Sequence, residues 1–148
     1  MQGNLNPSVR AALAGFIAPA QAGVGTVTTG WVDMRKFFAA LGVLNVGVIG
    51  AGGTVDAKVQ QATDANGTGA KDVPGLAITQ LLKAGGDNRQ VAINIRPEDM
   101  DKAGYRFARL SVTVGTASTF LSASLLGFDP RYGAASANQS GTVVETVG

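Results

Sequence analysis

Hydrophobic and polar residues alternate along much of this chain with a period of two. In residues 54–61, Val55, Ala57 and Val59 alternate with polar side chains. The same pattern recurs at residues 89–96, 105–115 and 118–128. This period is typical of a β-strand with one buried face and one face in water. The apolar stretch at residues 36–49 also favours a strand, because its β-branched residues and glycines are poor helix formers.

Turn-rich segments separate these stretches, and the best example is the polar loop at residues 63–69, which contains Asn66 and Gly67. About seven short strands joined by such turns predict an all-β protein with a single antiparallel β-sandwich, of jelly-roll or immunoglobulin-like type. We assign the β-sandwich domain to residues 26–132.

The two ends of the chain have a different composition. Residues 1–25 are rich in Ala, Gly and Pro, and we predict an extended N-terminal arm that lies on a neighbouring protein. Residues 133–148 are rich in small residues and predict a C-terminal tail, whose last residues form an edge strand or lie on a partner.

The N-terminal segment has two other interpretations. Ser8 can cap a short helix that ends before Pro19. The segment also has the outline of a signal peptide with a small-residue site at residues 20–22. Its single charge, on Arg10, and the glycine at position 15 argue against the signal peptide.

Composition excludes several kinds of chemistry. The 148 residues include no histidine and no cysteine, which removes thiolate metal sites and every catalytic arrangement that needs an imidazole. The net charge is only +2, and the basic residues are scattered, which disfavours a nucleic-acid surface. Only 15% of residues are charged and 21 are glycine, which suits either a protein that works against another protein or a sandwich with many tight turns. No apolar run is long enough to span a membrane.

Three short motifs suggest chemistry, and each has a simpler explanation. Glu98, Asp99 and Asp101 lie in one turn, whereas a hydrolase needs acids that face each other across a cleft, so capping of backbone N–H groups is favoured. The glycines at residues 50–53 lack the third glycine and the following helix of a dinucleotide site. The loop at residues 64–67 resembles a calcium loop but has no closing glutamate. We therefore expect no catalytic residue, no metal and no cofactor.

Two aromatic residues have a specific structural interpretation. Residues 101–105 have the Asp-x-Ala-x-Tyr spacing of the tyrosine corner, although Phe107 stands where an immunoglobulin domain has cysteine. Trp31, the only tryptophan, is either a core residue or an interface anchor, and the apolar Val27 and Val32 beside it favour the core.

Arginine and aromatic side chains are favoured in protein interfaces. We therefore name six candidate interface residues, which are Arg10, Phe16, Trp31, Arg109, Arg131 and Tyr132.

Four segments carry a resemblance to a known family. They are GWVDMRKF at 30–37, TVDAKVQQATDANGTGAKDVPGLAITQL at 54–81, GDNRQVAINIRPEDMD at 86–101 and YRFARLSVTVGTAS at 105–118. Over residues 30–132 the chain resembles small virion proteins of tailed bacteriophages, whose genes lie near that of the major capsid protein. The resemblance implies a non-enzymatic head decoration (cement) protein, a β-sandwich that forms a homotrimer on the outside of the expanded capsid.

The same resemblance implies the major capsid protein as partner, no nucleic-acid or membrane partner, and a location on the virion after assembly in the host cytoplasm. Two alternatives stay open. One is a head–tail connector or tail protein, which forms rings. The other is a secreted carbohydrate-binding β-sandwich, which requires cleavage after Ala22 and an exposed aromatic platform.

Overall fold

Ten β-strands account for most of the chain in a computed structural model that describes residues 5–148. The strands are β1 (Ala11–Ala22), β2 (Gly25–Thr28), β3 (Val32–Asp33), β4 (Phe37–Ile49), β5 (Thr54–Ala62), β6 (Lys71–Ala77), β7 (Leu81–Leu82), β8 (Arg89–Ile95), β9 (Phe107–Gly115) and β10 (Thr119–Pro130). Two single helical turns, α1 (Pro7–Arg10) and α2 (Lys83–Gly86), and two 3-10 turns, Pro97–Asp99 and Ala135–Asn138, complete the elements.

The strands form two antiparallel sheets. The four-stranded sheet has the order β1-β10-β4-β8. The six-stranded sheet has the order β2-β9-β5-β6, with β3 also on β9 and β7 also on β5. If β2 with β3 and β6 with β7 are each counted as one interrupted strand, the ten strands become eight, and the sheets read 1-8-3-6 and 2-7-4-5. This is the topology of a jelly roll. The predicted β-sandwich is confirmed.

The core lies between the two sheets and is built from the alternate residues of their strands. Val55, Ala57 and Val59 of β5 point into it, as the alternation predicts. So do Leu121, Ala123 and Leu125 of β10 on the opposite sheet. Neighbouring strands hold their register over long stretches, which fixes which side chains share a face.

The segment predicted as an N-terminal arm forms the edge strand β1. Its first four residues lie outside the described part of the chain. Residues 11–22 pair with β10, and Ala12 and Ile17 are buried in the core. The helix predicted for this segment is also wrong, apart from the single turn of α1. Backbone N–H and C=O groups of residues 11–22 bond to β10 instead of bonding to each other within a helix.

Two further expectations differ from the structure. The strand predicted at residues 76–83 is instead β6, which begins at Lys71, followed by the two-residue β7 and the turn α2. Pro74 is tolerated in β6 because this strand lies at the edge of its sheet. The tail at residues 133–148 adds no strand; it runs beside β1, where the Ser140 N–H donates to the Leu13 carbonyl oxygen at 2.7 Å.

Candidate interaction surface

The outer faces of the two sheets differ in chemistry. On the six-stranded sheet, charged and polar side chains point outward and bond to one another. Asp72 accepts hydrogen bonds from Lys58 at 2.8 Å and from Gln60 at 3.2 Å, and Gln60 in turn accepts two from Arg109 at 2.8 and 3.0 Å. The bond from Lys58, followed by that from Gln60, holds the pKa of Asp72 below its usual value. This face is therefore an ordinary hydrated surface whose polar groups satisfy each other.

The outer face of the four-stranded sheet carries no charged side chain over its central part. Strands β1 and β4 contain no Asp, Glu, Lys or Arg, and in β8 and β10 the charged residues Arg89 and Asp129 lie at the ends. We call this surface the uncharged face. Its apolar members are Leu13, Phe16, Leu41, Val43, Phe120 and Leu126, and its polar members are Asn45, Gln90, Asn94, Ser122 and Ser124.

Register explains why the apolar side chains of the uncharged face form one patch. Leu13 of β1, Leu126 of β10 and Leu41 of β4 lie opposite one another across three strands. Cross-strand neighbours of this kind have Cβ atoms about 5 Å apart, so their side chains touch. Leu13 is 45% exposed, and Phe16, three residues further along β1, is 42% exposed. The patch is therefore apolar and open to solvent within one copy of the chain.

A second apolar site lies at the far end of the same face. Phe120 is 50% exposed and stands over Gly47, where an added Cβ would lie 3.0 Å from the Phe120 Cβ. Pro19 and Ala20 of β1 and Phe120 line a shallow groove here. Between the two apolar sites, Gln90 donates to Asn45 at 2.7 Å, and Asn45 donates to Ser122 at 3.5 Å. Because these three side chains bond to each other, burying them against a partner costs less than burying free polar groups.

Charged residues lie at the ends of the strands that form the uncharged face. Arg10 pairs with Asp129 at 3.1 Å beside the start of β1. An apolar centre with a charged rim is the usual anatomy of a protein interface.

The C-terminal tail forms one wall of a groove on this face. Leu13, Phe16 and Ser124 line the groove on the sheet side, and residues 142–145 line it on the tail side, with a volume of about 220 Å³. Val144 is 97% exposed. The tail thus places Val143 and Val144 beside the uncharged face, with the charged Glu145 at the edge of the same groove.

The six residues predicted for an interface fall into three places. Phe16 lies on the uncharged face and Arg10 at its rim. Trp31 and Arg109 lie on the outer side of the six-stranded sheet, whereas Arg131 and Tyr132 follow β10. Their role in an interface stays a prediction.

Sequence reasoning missed the other apolar residues of the face. The signal for them was present in β4, which is apolar at nearly every position rather than at every second one, as is typical of a strand covered on both faces.

Trp31 does not lie in the core. Its half-buried ring contacts Gly67, where a Cβ would lie 2.8 Å from the indole nitrogen, and the Arg109 guanidinium stacks on it at 4.4 Å. The flanking Val32 is buried, and alternation along β3 turns its tryptophan neighbour outward.

The tyrosine corner is also wrong. The Tyr105 hydroxyl donates to the carbonyl oxygen of Gly69, which is 36 residues away in the loop between β5 and β6. The tyrosine of a corner bonds instead to backbone a few residues upstream.

The acidic residues of the turns act on the backbone, as the sequence favoured. Asp99 accepts the Arg96 N–H at 3.0 Å, and Asp101 accepts the Ala103 N–H at 2.9 Å. Asp64 accepts the Thr68 hydroxyl at 2.6 Å and the Asn66 N–H at 2.9 Å, so its carboxylate closes a turn. These bonds, that of the Thr68 hydroxyl foremost, lower the pKa of Asp64. Among residues 5–148, no three Asp or Glu side chains lie close enough together to hold a metal ion.

Comparisons with known proteins find distant similarity to solved structures. No protein-family model and no curated protein matches the sequence. Among solved structures, a chain in the structure of infectious bursal disease virus, Gx strain, is 12% identical over 84% of this chain and 33% of that chain, with a TM-score of 0.45. The present chain thus spans about a third of the length of that viral chain.

A family 22 carbohydrate-binding module of Clostridium thermocellum Xyn10B is 12% identical over 86% of this chain and 90% of that chain, with a TM-score of 0.40. The K1 cleaved adhesin domain of Lys-gingipain from Porphyromonas gingivalis W83 is 13% identical over 71% and 59%, with a TM-score of 0.33. At such scores these likenesses carry no argument about function. In the part of the chain that the structure describes, no helix is long and apolar enough to cross a membrane.

Proposed function

We propose that this protein is a non-enzymatic structural component of a bacteriophage virion that binds the outside of the expanded head and stabilises it. The observation that carries the proposal is the uncharged face, an open apolar surface on a rigid sheet with charged residues at its rim. Exposed apolar patches of this kind mark surfaces that bind other proteins. The resemblance of residues 30–132 to phage virion proteins supplies the class of partner, a capsid shell.

The contrast between the two faces supports this role. A decoration protein must present one side to the shell and the other to water. The uncharged face suits the first, and the six-stranded sheet, with its mutually bonded Lys58, Gln60 and Asp72, suits the second. The jelly roll holds both faces on one core, so binding requires no rearrangement of the strands.

The mechanism needs binding energy and no reaction. A homotrimer places three copies of the uncharged face on the shell together, so that modest contacts add up through effective concentration. A protein that binds the expanded lattice and not its precursor stabilises the expanded lattice by mass action. At a concentration of 100 times the dissociation constant, that stabilisation is about 2.7 kcal/mol per site.

Co-sedimentation with phage heads tests this proposal. Purified protein is mixed with empty expanded capsids that lack it, and the bound copies are counted by gel densitometry. We expect saturable binding at a fixed ratio to the capsid protein and none to unexpanded shells. Failure to bind heads, with the protein found instead in the necks or tails of intact particles, would contradict the proposal and favour a connector protein.

A further inference from the structure

A cleft of about 230 Å³ opens at one end of the sandwich, where three separate segments meet. The turn between β3 and β4 supplies Arg35, the connection between β8 and β9 supplies Lys102 and Arg106, and the segment after β10 supplies Arg131. Four cationic side chains thus line one small cavity, although they are far apart in the sequence.

The acidic residues nearby neutralise only part of this cluster. Asp33 pairs with Arg106 at 2.9 Å. Asp101, which also lines the cleft, is already bonded to Lys71, and this bond is the main reason that the pKa of Asp101 lies below its usual value. Within residues 5–148, Arg35, Lys102 and Arg131 have no carboxylate partner at all.

One hydrogen-bond donor in the cluster is buried without a partner. The Nε atom of Arg106 is shielded from solvent and bonds to no protein atom, although the Nη2 atom of the same residue pairs with Asp33. Buried guanidinium donors are normally satisfied, because leaving one unpaired costs free energy. Arg106 therefore lacks one hydrogen-bond acceptor within residues 5–148.

Met34 and Met100 line the cleft beside the charged groups and are almost completely buried. A charge–charge contact made in a partly enclosed cleft is stronger than one in open water. Guanidinium groups also match the geometry of a carboxylate, which they bind through two parallel hydrogen bonds.

We propose that this cleft binds the carboxylate side chains of an acidic polypeptide segment. Its volume is below the range of about 300 to 1,000 Å³ that small-molecule pockets occupy, so it admits one or two side chains rather than a nucleotide. The inference rests on the cleft alone. It is independent of the role proposed for the uncharged face, because the two surfaces use different residues.

Methionine NMR tests the inference directly. The chain has three methionines, and two of them, Met34 and Met100, line the cleft, so ¹³C-methyl labelling reports on it with almost no background. The probe is a hexaglutamate peptide, with hexaglutamine as its uncharged control. We expect hexaglutamate to shift both methyl signals saturably and hexaglutamine to leave them in place.

Two variants of the full chain make the test specific. Arg35→Gln with Lys102→Gln should weaken hexaglutamate binding about ten-fold or more, since two charge-assisted contacts are lost. Arg89→Gln removes an exposed cation of β8 that has no ion pair within residues 5–148, and it should bind like the wild type. Equal affinity of both variants, or an absence of saturation with the wild type, would overturn the inference. So would saturable binding of inorganic phosphate without binding of hexaglutamate.

Discussion

Gln61 links strand β6 and the connection between β8 and β9 through one buried side chain. It lies at the end of β5 and is 1% exposed. Its Oε1 atom accepts the Asp101 N–H at 2.7 Å, and its Nε2 atom donates to the Asp72 carbonyl oxygen at 3.5 Å. A buried amide that satisfies two backbone groups fixes the end of the sandwich at which the cationic cleft opens.

Replacement of Gln61 by leucine should therefore destabilise the protein although it adds apolar surface. The Asp101 N–H loses its acceptor in a partly buried place, which costs about 1–3 kcal/mol of the free energy of unfolding. Urea denaturation measures the change. Gln21→Leu, at an exposed position of β1, is the control and should be close to neutral. Equal stability of Gln61→Leu and the wild type would contradict this account.

Asp87 joins the start of β8 to the end of β4. Its carboxylate accepts the Ile49 N–H at 2.8 Å and the Lys83 ammonium at 3.0 Å. These two bonds, that of Ile49 first, lower the pKa of Asp87 in the folded protein. A lowered pKa means that the contribution of the carboxylate to stability is complete above the unfolded value, near 3.9, and is lost as the pH falls through the folded value.

Lowering the pH should therefore reduce the contribution of the Asp87 carboxylate to the free energy of unfolding. Asp87→Asn keeps an acceptor for Ile49 but loses the charge, so we expect the variant to be less stable than the wild type at pH 7. The difference should shrink as the pH falls below 4. Urea denaturation at pH 7 and pH 3 measures both values, with Glu145→Gln in the exposed tail as the control. A stability difference between wild type and variant that grows towards low pH would contradict the lowered pKa of Asp87.

At the scale of elements, strand β1 makes the N-terminal segment part of the fold. It pairs with β10 from Ala11 to Ala22, with two bulges, and contributes Ile17 to the core, while its neighbour Phe16 points outward. These adjacent residues therefore have opposite functions, one in folding and the other on the uncharged face.

Ile17→Ala should cost about 2 kcal/mol or more of unfolding free energy, as buried isoleucine truncations do. Phe16→Ala should cost much less, because Phe16 is already partly in water. Chemical denaturation of both variants is the measurement. If the segment were an arm, as its composition suggests, neither change would lower the stability, and that result would remove β1 from the sandwich.

Sequence patterns predict the regular strands and miss the irregular ones. Strands β5, β8, β9 and β10 follow from alternation alone. β1 does not, because two bulges, between Leu13 and Gly15 and between Ile17 and Ala20, interrupt its period of two. Its partner β10 lies about a hundred residues away, so no local signal identifies the pairing.

The sequence marks β4 as apolar on both faces, but it does not show which residues of the candidate surface become neighbours. Leu13, Leu41 and Leu126 become neighbours only through the register of three strands that are distant along the chain. The cationic cleft is a second case, since Arg35, Lys102 and Arg131 look scattered in the sequence and converge only in the fold. The sequence shows which apolar and basic residues are present. Which of them lie side by side depends on strand pairing between distant parts of the chain.

For the whole molecule, we propose three surfaces with three roles. In this proposal, the uncharged face binds the shell, the outer side of the six-stranded sheet faces water, and the cationic cleft receives acidic side chains. The first assignment is the central one, because the proposed function depends on it.

The most direct test compares two double variants in the capsid co-sedimentation assay. Phe16→Asp with Phe120→Asp places two carboxylates on the uncharged face at half-exposed positions, where the fold tolerates them. Thr26→Asp with Ala77→Asp places two on exposed positions of the six-stranded sheet. Circular dichroism and urea denaturation confirm that both variants are folded.

We predict that the first variant loses binding to expanded capsids by about ten-fold or more, since a carboxylate buried without a partner costs well over 1.4 kcal/mol. The second variant should bind like the wild type. Full binding by the first variant, or an equal loss in both, would contradict the claim that the uncharged face is the surface that holds this protein on the shell.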